Sequence, residues 1–202
     1  MLIPLSSLIE KYGIIFKGIL HVGAHQCEEI TEYEQHISRK NVLWVEAIPS
    51  LVDYCRSTYP NLNIENAIVS DVIESVSFNI ANNGQSSSLL DFGIHKHYHP
   101  DIHYVNTISG TTELLSNIIR KYDTHFNFLN LDIQGAELKA LRGMGQYLSK
   151  VDYIYTEVNS DDVYKGCCLV SEIDEYLLHF GLFRVETSWT PNKWGDAFYM
   201  RI

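Results

Sequence analysis

Short apolar runs of strand length recur along this chain, each followed by a segment with helical spacing, and that alternation leaves few folds open. Parallel strands joined by helical crossovers are covered on both faces, so they read as near-continuous apolar runs. Gly18-Ile-Leu-His-Val22 is the first such run; it ends at Gly23-Ala24-His25, and a helix is expected from Glu28 to Ser38. Asn41-Val-Leu-Trp-Val45 is the second and ends on Glu46. Ser50 caps a helix from Leu51 to about Thr58, which Tyr59-Pro60-Asn61 stops. Leu62 to Val69 reads as a third strand and Ser75 to Ala81 as an additional one. A polar stretch runs from Asn82 to His103, and Thr111 or Thr112 is expected to cap a helix reaching about Tyr122. Asn127-Phe-Leu-Asn-Leu131 is the fourth core strand, ending on Asp132, and Ala136 to Leu148 is a helix. Tyr153 to Val158 is the fifth strand and carries Glu157; a helix from Ser171 to Phe180 follows, closed by Gly181. Leu182 to Ser188 and Ala197 to Ile202 form a last strand pair around the loop from Thr190 to Asp196. The outline is a mostly parallel α/β sheet with a terminal hairpin, in one domain over residues 1–202 that stands alone or within a longer polypeptide.

In open α/β sheets ligands bind beyond the carboxyl ends of the strands. The residues ending strands here are Gly23, Glu46, Asp132 and Glu157. A dinucleotide-binding turn would carry three glycines so that a pyrophosphate can approach, and this turn keeps only Gly23. S-adenosylmethionine has no phosphate and tolerates the bulkier Ala24, His25 and Cys27. Glu46, at the end of the second strand, is placed to accept hydrogen bonds from both ribose hydroxyls. The 15 Lys and Arg against 25 Asp and Glu give a net charge of −10, the wrong sign for tracking phosphates, so nucleic acid is not an expected partner. Cys27, Cys55, Cys167 and Cys168 have neither zinc-site nor disulfide-framework spacing and read as free thiols. No signal peptide or membrane-spanning run is visible, so a soluble, cytoplasmic protein is expected. Oligomeric state is not legible.

Several segments together resemble the FkbM family of methyltransferases. They are Leu20-His-Val-Gly-Ala-His25, Val45-Glu-Ala-Ile-Pro49, Asn66-Ala-Ile-Val-Ser-Asp71, Gly84-Gln-Ser-Ser-Ser-Leu89, Leu131-Asp-Ile-Gln-Gly-Ala-Glu137, Thr156-Glu-Val-Asn159 with Tyr164, and Trp194-Gly-Asp196. They run in the family's order from about residue 18 to the C-terminus. The Asp-Ile-Gln-Gly-Ala-Glu block is the most specific, and it departs from the more usual form by carrying Gln134 in place of Glu. The resemblance implies the Rossmann-like class I methyltransferase fold, with seven mostly parallel strands, helices on both faces and an antiparallel hairpin. It also implies S-adenosylmethionine as cofactor and O-methylation as the usual reaction, on natural products or sugars. The acceptor itself does not carry over.

The cofactor pocket is then expected to use His21, Gly23, Ala24 and His25 from the first turn, and Glu46 and Ala47 from the second strand end. Ala67, Gln85, Ser86, Ser87 and Asp132 complete it, the short polar side chains suiting the cofactor's carboxylate. Asp132 is the expected base or proton relay for a hydroxyl acceptor, and also a plausible helix cap. Glu137 suits a helix N-terminus. Glu157 stands on the neighbouring strand. Asp132 and Glu157 sharing a divalent cation is the alternative; two carboxylates are few for one, and a metal-free site is expected. Among His95, His97, His99 and His103, the first two are candidate general bases. Asn159, Tyr164, Trp189 and Trp194 are candidate contacts to a carbohydrate acceptor. The expected function is O-methylation of a sugar or glycan hydroxyl, with a small natural product, or a non-catalytic cofactor-binding domain, as alternatives.

Overall fold

The computed structural model describes residues 1–202. The apolar runs form the strands they suggest: β1 (Ile19–Val22), β2 (Val42–Glu46), β7 (Phe128–Leu131) and β8 (Tyr153–Asn159). With β3 (Asn63–Asn66), β9 (Leu182–Trp189) and β10 (Trp194–Arg201) they build one seven-stranded sheet in the order β3-β2-β1-β7-β8-β10-β9. β3, β2, β1, β7 and β8 are parallel, and β10 runs antiparallel to both β8 and β9. From β1 the chain first winds outward to β2 and β3, then returns to place β7 on the other side of β1. That reversal opens a crevice between the ends of β1 and β7, where Gly23 and Asp132 stand.

Each face of the sheet has its own core. One cluster of 25 buried residues joins Leu20, Leu129, Leu131 and Ile154 to α5 (Leu115–Ile119), α6 (Glu137–Met144) and α7 (Val170–Leu178). The other, of 16 residues, joins Ile19, Trp44, Phe128 and Phe198 to α1 (Leu5–Tyr12) and α3 (Pro49–Thr58). Strands covered on both sides keep no polar alternation, which is why β1, β2 and β7 are buried at every position.

Five expectations need correction. The run from Leu62 to Val69 is two strands: β3 joins the large sheet, while β4 (Ile68–Val69) joins a second sheet with β5 (Ser75–Ala81) and β6 (Tyr104–Glu113), in the order β4-β6-β5. The chain breaks there because the Ala67 N–H donates to the Glu46 carbonyl at 3.0 Å and the Asn66 amide donates to the carbonyls of Glu46 and Ala47. The residues expected to cap a helix at Thr111 or Thr112 lie instead in β6 (Tyr104–Glu113), paired antiparallel with β5 (Ser75–Ala81). The Thr112 hydroxyl donates to the Val72 carbonyl at 2.6 Å and accepts the Glu74 N–H at 2.9 Å, so it fastens the small sheet rather than a helix. The helix expected from Glu28 to Ser38 shortens to α2 (Ile30–Tyr33), and the one expected to reach Leu148 breaks at Gly145 (φ +54°) into a 3-10 turn. The last hairpin is longer than expected, β10 starting at Trp194. All four cysteines are free thiols. No helix is long and apolar enough to cross a membrane.

Candidate active site

The turn after β1 is shaped by contact with β7. Gly23 has φ +91°, and a Cβ there would lie 1.8 Å from the Asp132 carbonyl oxygen. Glycine is therefore required by the neighbouring strand end itself, whatever ligand is bound. The Gly23 and Ala24 N–H groups donate to the Val45 carbonyl, which directs the turn toward Glu46. One Glu46 oxygen accepts the His25 N–H and the other accepts the Ile48 N–H, each at 2.8 Å. Glu46 is 6% exposed, and burial raises its pKa against the pull of those two donors. Each oxygen keeps a lone pair for a further donor.

These strand ends open into a cavity of about 590 Å³. Its walls differ in chemistry. Beyond Glu46 lie Ile48, Leu51, Ile68, Phe78 and Leu89, an apolar slot between α3 and the small sheet. The floor is acidic. Glu28, Glu29, Glu46, Asp132, Glu157 and Asp196 line the cavity, and no lysine or arginine does. Gln134 ties the centre together: its Nε2 donates to Asp132 Oδ1 at 2.6 Å and to Glu157 Oε2 at 2.9 Å, and its Oε1 accepts the Tyr164 hydroxyl. Asp132 is open to the cavity, yet crowding by protein, with Asp196 and Glu29 adding to it and Gln134 opposing, pushes its carboxyl up to about 6. Burial pushes Glu157 well above the carboxylate range, and the negative charges of Asp132, Glu137 and Asp196 add to this.

The third wall is aromatic. His95 stacks on Phe92 at 4.3 Å between ring centres and tilts against His99 and Tyr164. Burial first, then His99, pulls the His95 pKa down to about 4, so its ring is neutral at ordinary pH, and Nδ1 has no hydrogen-bond partner. Trp194 lines the same side.

Most of the expected site residues converge here. His21, Gly23, His25, Glu46, Ala47, Ala67, Gln85, Ser86, Ser87, His95, Asp132, Glu157, Tyr164 and Trp194 all line the cavity. Four do not. Ala24 is buried in the core beneath the turn, and His97 is exposed, away from the cavity. Trp189 is 43% exposed on the edge strand, and Asn159 is fully buried with both amide atoms unpartnered. His21 has its Nδ1 on the Tyr33 hydroxyl at 3.0 Å and its ring on Trp44. Burial holds it neutral, with a pKa lowered to about 3. The serines act mainly in their own turn: Ser87 Oγ donates to the Gly84 carbonyl and accepts the Ala81 N–H, and Ser86 Oγ accepts the Asn83 amide. Glu137 is fully buried, its Oε1 accepting the N–H groups of Ile133 and Gly135 at 3.1 Å. Burial raises its pKa to about 7. Sequence reading missed the bridging role of Gln134, the acids Glu28 and Glu29, and the apolar slot. Register carried the signal for Asp196, which pairs with Glu157 across β8 and β10.

S-adenosylmethionine suits this arrangement on chemical grounds. A buried carboxylate with spare lone pairs fits a ribose diol, the apolar slot fits a purine, and a floor on which six carboxyls outnumber the Met1 amino group, with no lysine or arginine, fits a sulfonium.

Solved structures share the fold. A magnesium protoporphyrin IX methyltransferase from Synechocystis, determined with bound S-adenosylmethionine, is 9% identical with a TM-score of 0.52; the alignment covers 98% of this chain and 76% of that one. An S-adenosylmethionine-dependent methyltransferase from Clostridium acetobutylicum is 8% identical, also with a TM-score of 0.52, over 98% and 89% of the two chains. No curated protein matches the sequence. Strand order, terminal hairpin and cavity chemistry define a class I S-adenosylmethionine-dependent methyltransferase. The methyltransferase FkbM domain model matches residues 21–184, and the chain belongs to that family.

Proposed function

We propose that the enzyme methylates a hydroxyl oxygen of a sugar or glycan, with Asp132 accepting the hydroxyl proton. The observation that carries this reading is the pairing of Asp132 and Glu157 through Gln134 on the cavity floor, beside Tyr164 and Trp194. When bound, S-adenosylmethionine supplies the electrophilic methyl group. The chain's residues do the rest. Glu46 would hold the ribose hydroxyls. Asp132, with a carboxyl pKa near 6, is ionised at neutral pH and still basic enough to take a proton as the oxygen loses it. Tyr164 and Trp194 offer flat faces to a sugar ring, and the lack of lysine and arginine makes the cavity hostile to phosphate- or carboxylate-bearing acceptors. That electrostatics also supports the absence of nucleic acid among its substrates. We take the site of action to be the cytoplasm, in keeping with four free thiols.

The test is a panel of neutral, acidic and amino sugars and their glycans, incubated with methyl-labelled S-adenosylmethionine and read by mass spectrometry. Label on a hydroxyl of a neutral carbohydrate supports the reading. Transfer confined to nitrogen, carbon or anionic acceptors overturns it.

A further inference from the structure

We propose that Gln134 is a positioning residue of the transfer site: its amide locks the carboxyls of Asp132 and Glu157 into one unit and keeps Asp132 able to receive a proton. The proposal rests on the reading of Asp132 as the proton acceptor.

The local chain is built to deliver this amide. Gln134 (φ +57°) and Gly135 (φ +99°) are consecutive left-handed residues, which fold the side chain of Gln134 back between the ends of β7 and β8. A non-glycine residue held in that conformation is strained, and such strain gathers at functional positions. The loop is clamped from both sides. Glu137 accepts the N–H groups of Ile133 and Gly135, and Ser88 Oγ donates to the Gln134 carbonyl at 2.7 Å. On its outer side a Cβ at Gly135 would lie 2.9 Å from Cys167 Cβ and 3.1 Å from Tyr164 Cβ, so the turn is pressed against the Tyr164 loop.

The orientation of the amide follows from its partners. The Tyr164 phenol donates to Oε1, so both Nε2 hydrogens face the two carboxyls. The groups around that pair are mostly acidic: Asp196 from β10, Glu137 from α6 and Glu29 from the turn before α2, with Tyr164 and His25 from the flanking loops; the amino group of Met1 opposes them at Asp132. In such company a carboxyl tends to hold its proton, and a donor aimed at it favours the ionised form. Gln134 is that donor for both carboxyls at once. An ionised glutamate in this place would set acceptor against acceptor and remove the donor.

Site-resolved titration of Asp132 by carbon-13 NMR, with labelled aspartate and assignment from the Asp132→Asn difference, reads the proposal without any acceptor. In Gln134→Leu the Asp132 midpoint is expected to rise by about one pH unit, a tenfold loss of ionised carboxyl at a given pH below it. Tyr164→Phe, which removes one hydroxyl and frees the amide to rotate, is expected to move it in the same direction by less. Once an acceptor is in hand, the acid limb of kcat should move with the titration, so that Gln134→Leu is most impaired near pH 6 and recovers toward pH 8. A merely structural role would lower kcat by the same factor at every pH. Asp132 midpoints unchanged in both variants overturn the proposal. A midpoint that rises while the acid limb of kcat stays in place instead overturns the assignment of Asp132 as proton acceptor.

Discussion

Glu46 braces two backbone N–H groups, and we propose that it also holds the ribose of the cofactor; truncation removes both, and their sizes are separable. In Glu46→Ala the N–H groups of His25 and Ile48 both lose a carboxylate acceptor at 2.8 Å. Hydrogen bonds to charged groups contribute roughly 1.5–3 kcal/mol each. Relief of the buried charge offsets part of that sum, because burial already works against the ionised form. A net loss of about 2–4 kcal/mol is expected, and in a chain of this size each kcal/mol moves Tm by roughly 2–4 °C. The melting temperature should therefore fall by roughly 4–16 °C. If the carboxylate holds the ribose as proposed, binding of S-adenosylmethionine should weaken by about tenfold or more for each hydrogen bond lost. Glu46→Gln keeps one acceptor but turns an NH₂ toward a backbone N–H, so it should fall between the two. Circular dichroism melts give the first quantity and calorimetric titration well below Tm gives the second. An Ala variant that melts and binds like the parent would refute both roles. One that melts normally but fails to bind would refute only the bracing of the turn.

Asp132→Asn retains size and hydrogen-bonding capacity at the strand end, so S-adenosylmethionine binding should weaken by no more than about tenfold, from the lost charge, while kcat falls by ~10²–10⁴. In the parent enzyme kcat/KM should rise with pH through about 6 as Asp132 loses its proton, and that limb should be absent from the residual activity of the variant. Activity should also survive dialysis against EDTA, because the Gln134 amide nitrogen already fills the space between the Asp132 and Glu157 oxygens where a shared cation would stand; loss on chelation with recovery in Mg²⁺ or Mn²⁺ would reverse that conclusion.

The parts of the site that were legible in the sequence are those fixed by burial on both faces of a strand. Gly23, Glu46, Asp132 and Glu157 each interrupt or end an apolar run, and a polar residue in that place is brought to the carboxyl edge of the sheet. The parts that were not legible depend on contacts distant in sequence. Nothing between Leu62 and Val69 marks a break; it is made by hydrogen bonds from Asn66 and Ala67 to the end of β2. The strand Tyr104–Glu113 is mostly exposed and rich in Thr, Ser and Asn, so its threonines read as caps. His95 and His97 looked equivalent in a polar loop. One helical turn at His95–Tyr98 separates them, since residues two apart point in different directions and residues four apart do not, which puts His99 beside His95 in the cavity. Trp189 and Trp194 likewise differ through hairpin register alone.

The acidity of the cavity has a further consequence for cofactor binding that separates substrate from product. Asp132 and Glu157 both hold their protons more tightly than free carboxyls, and Asp196 and Glu29 contribute to this at Asp132. S-adenosylmethionine carries a fixed positive charge on sulfur, whereas S-adenosylhomocysteine has a neutral thioether. A positive charge in the cavity favours ionised carboxyls, so it lowers their pKa values and releases protons on binding. A ligand whose binding releases protons binds more tightly as pH rises, until the carboxyls of the free protein are already ionised. Affinity for S-adenosylmethionine should thus climb through about pH 6, where Asp132 titrates, and level off above it. Affinity for S-adenosylhomocysteine should change much less over the same range, because the two ligands share every other titrating group that matters there. If the cavity lowers one carboxyl pKa by about one unit, the ratio of the two affinities should grow by up to about tenfold between pH 5 and pH 8. Calorimetry with both ligands in buffers of different ionisation enthalpy measures the affinities and the protons released together. A ratio that stays flat with pH, with no proton release specific to the sulfonium, would refute the coupling. It would also show that the acids on the floor serve the acceptor alone. A ratio that grows with pH means that the same carboxyls favour the charged cofactor before transfer and lose their hold on it afterwards, when the charge has gone and the thioether must leave.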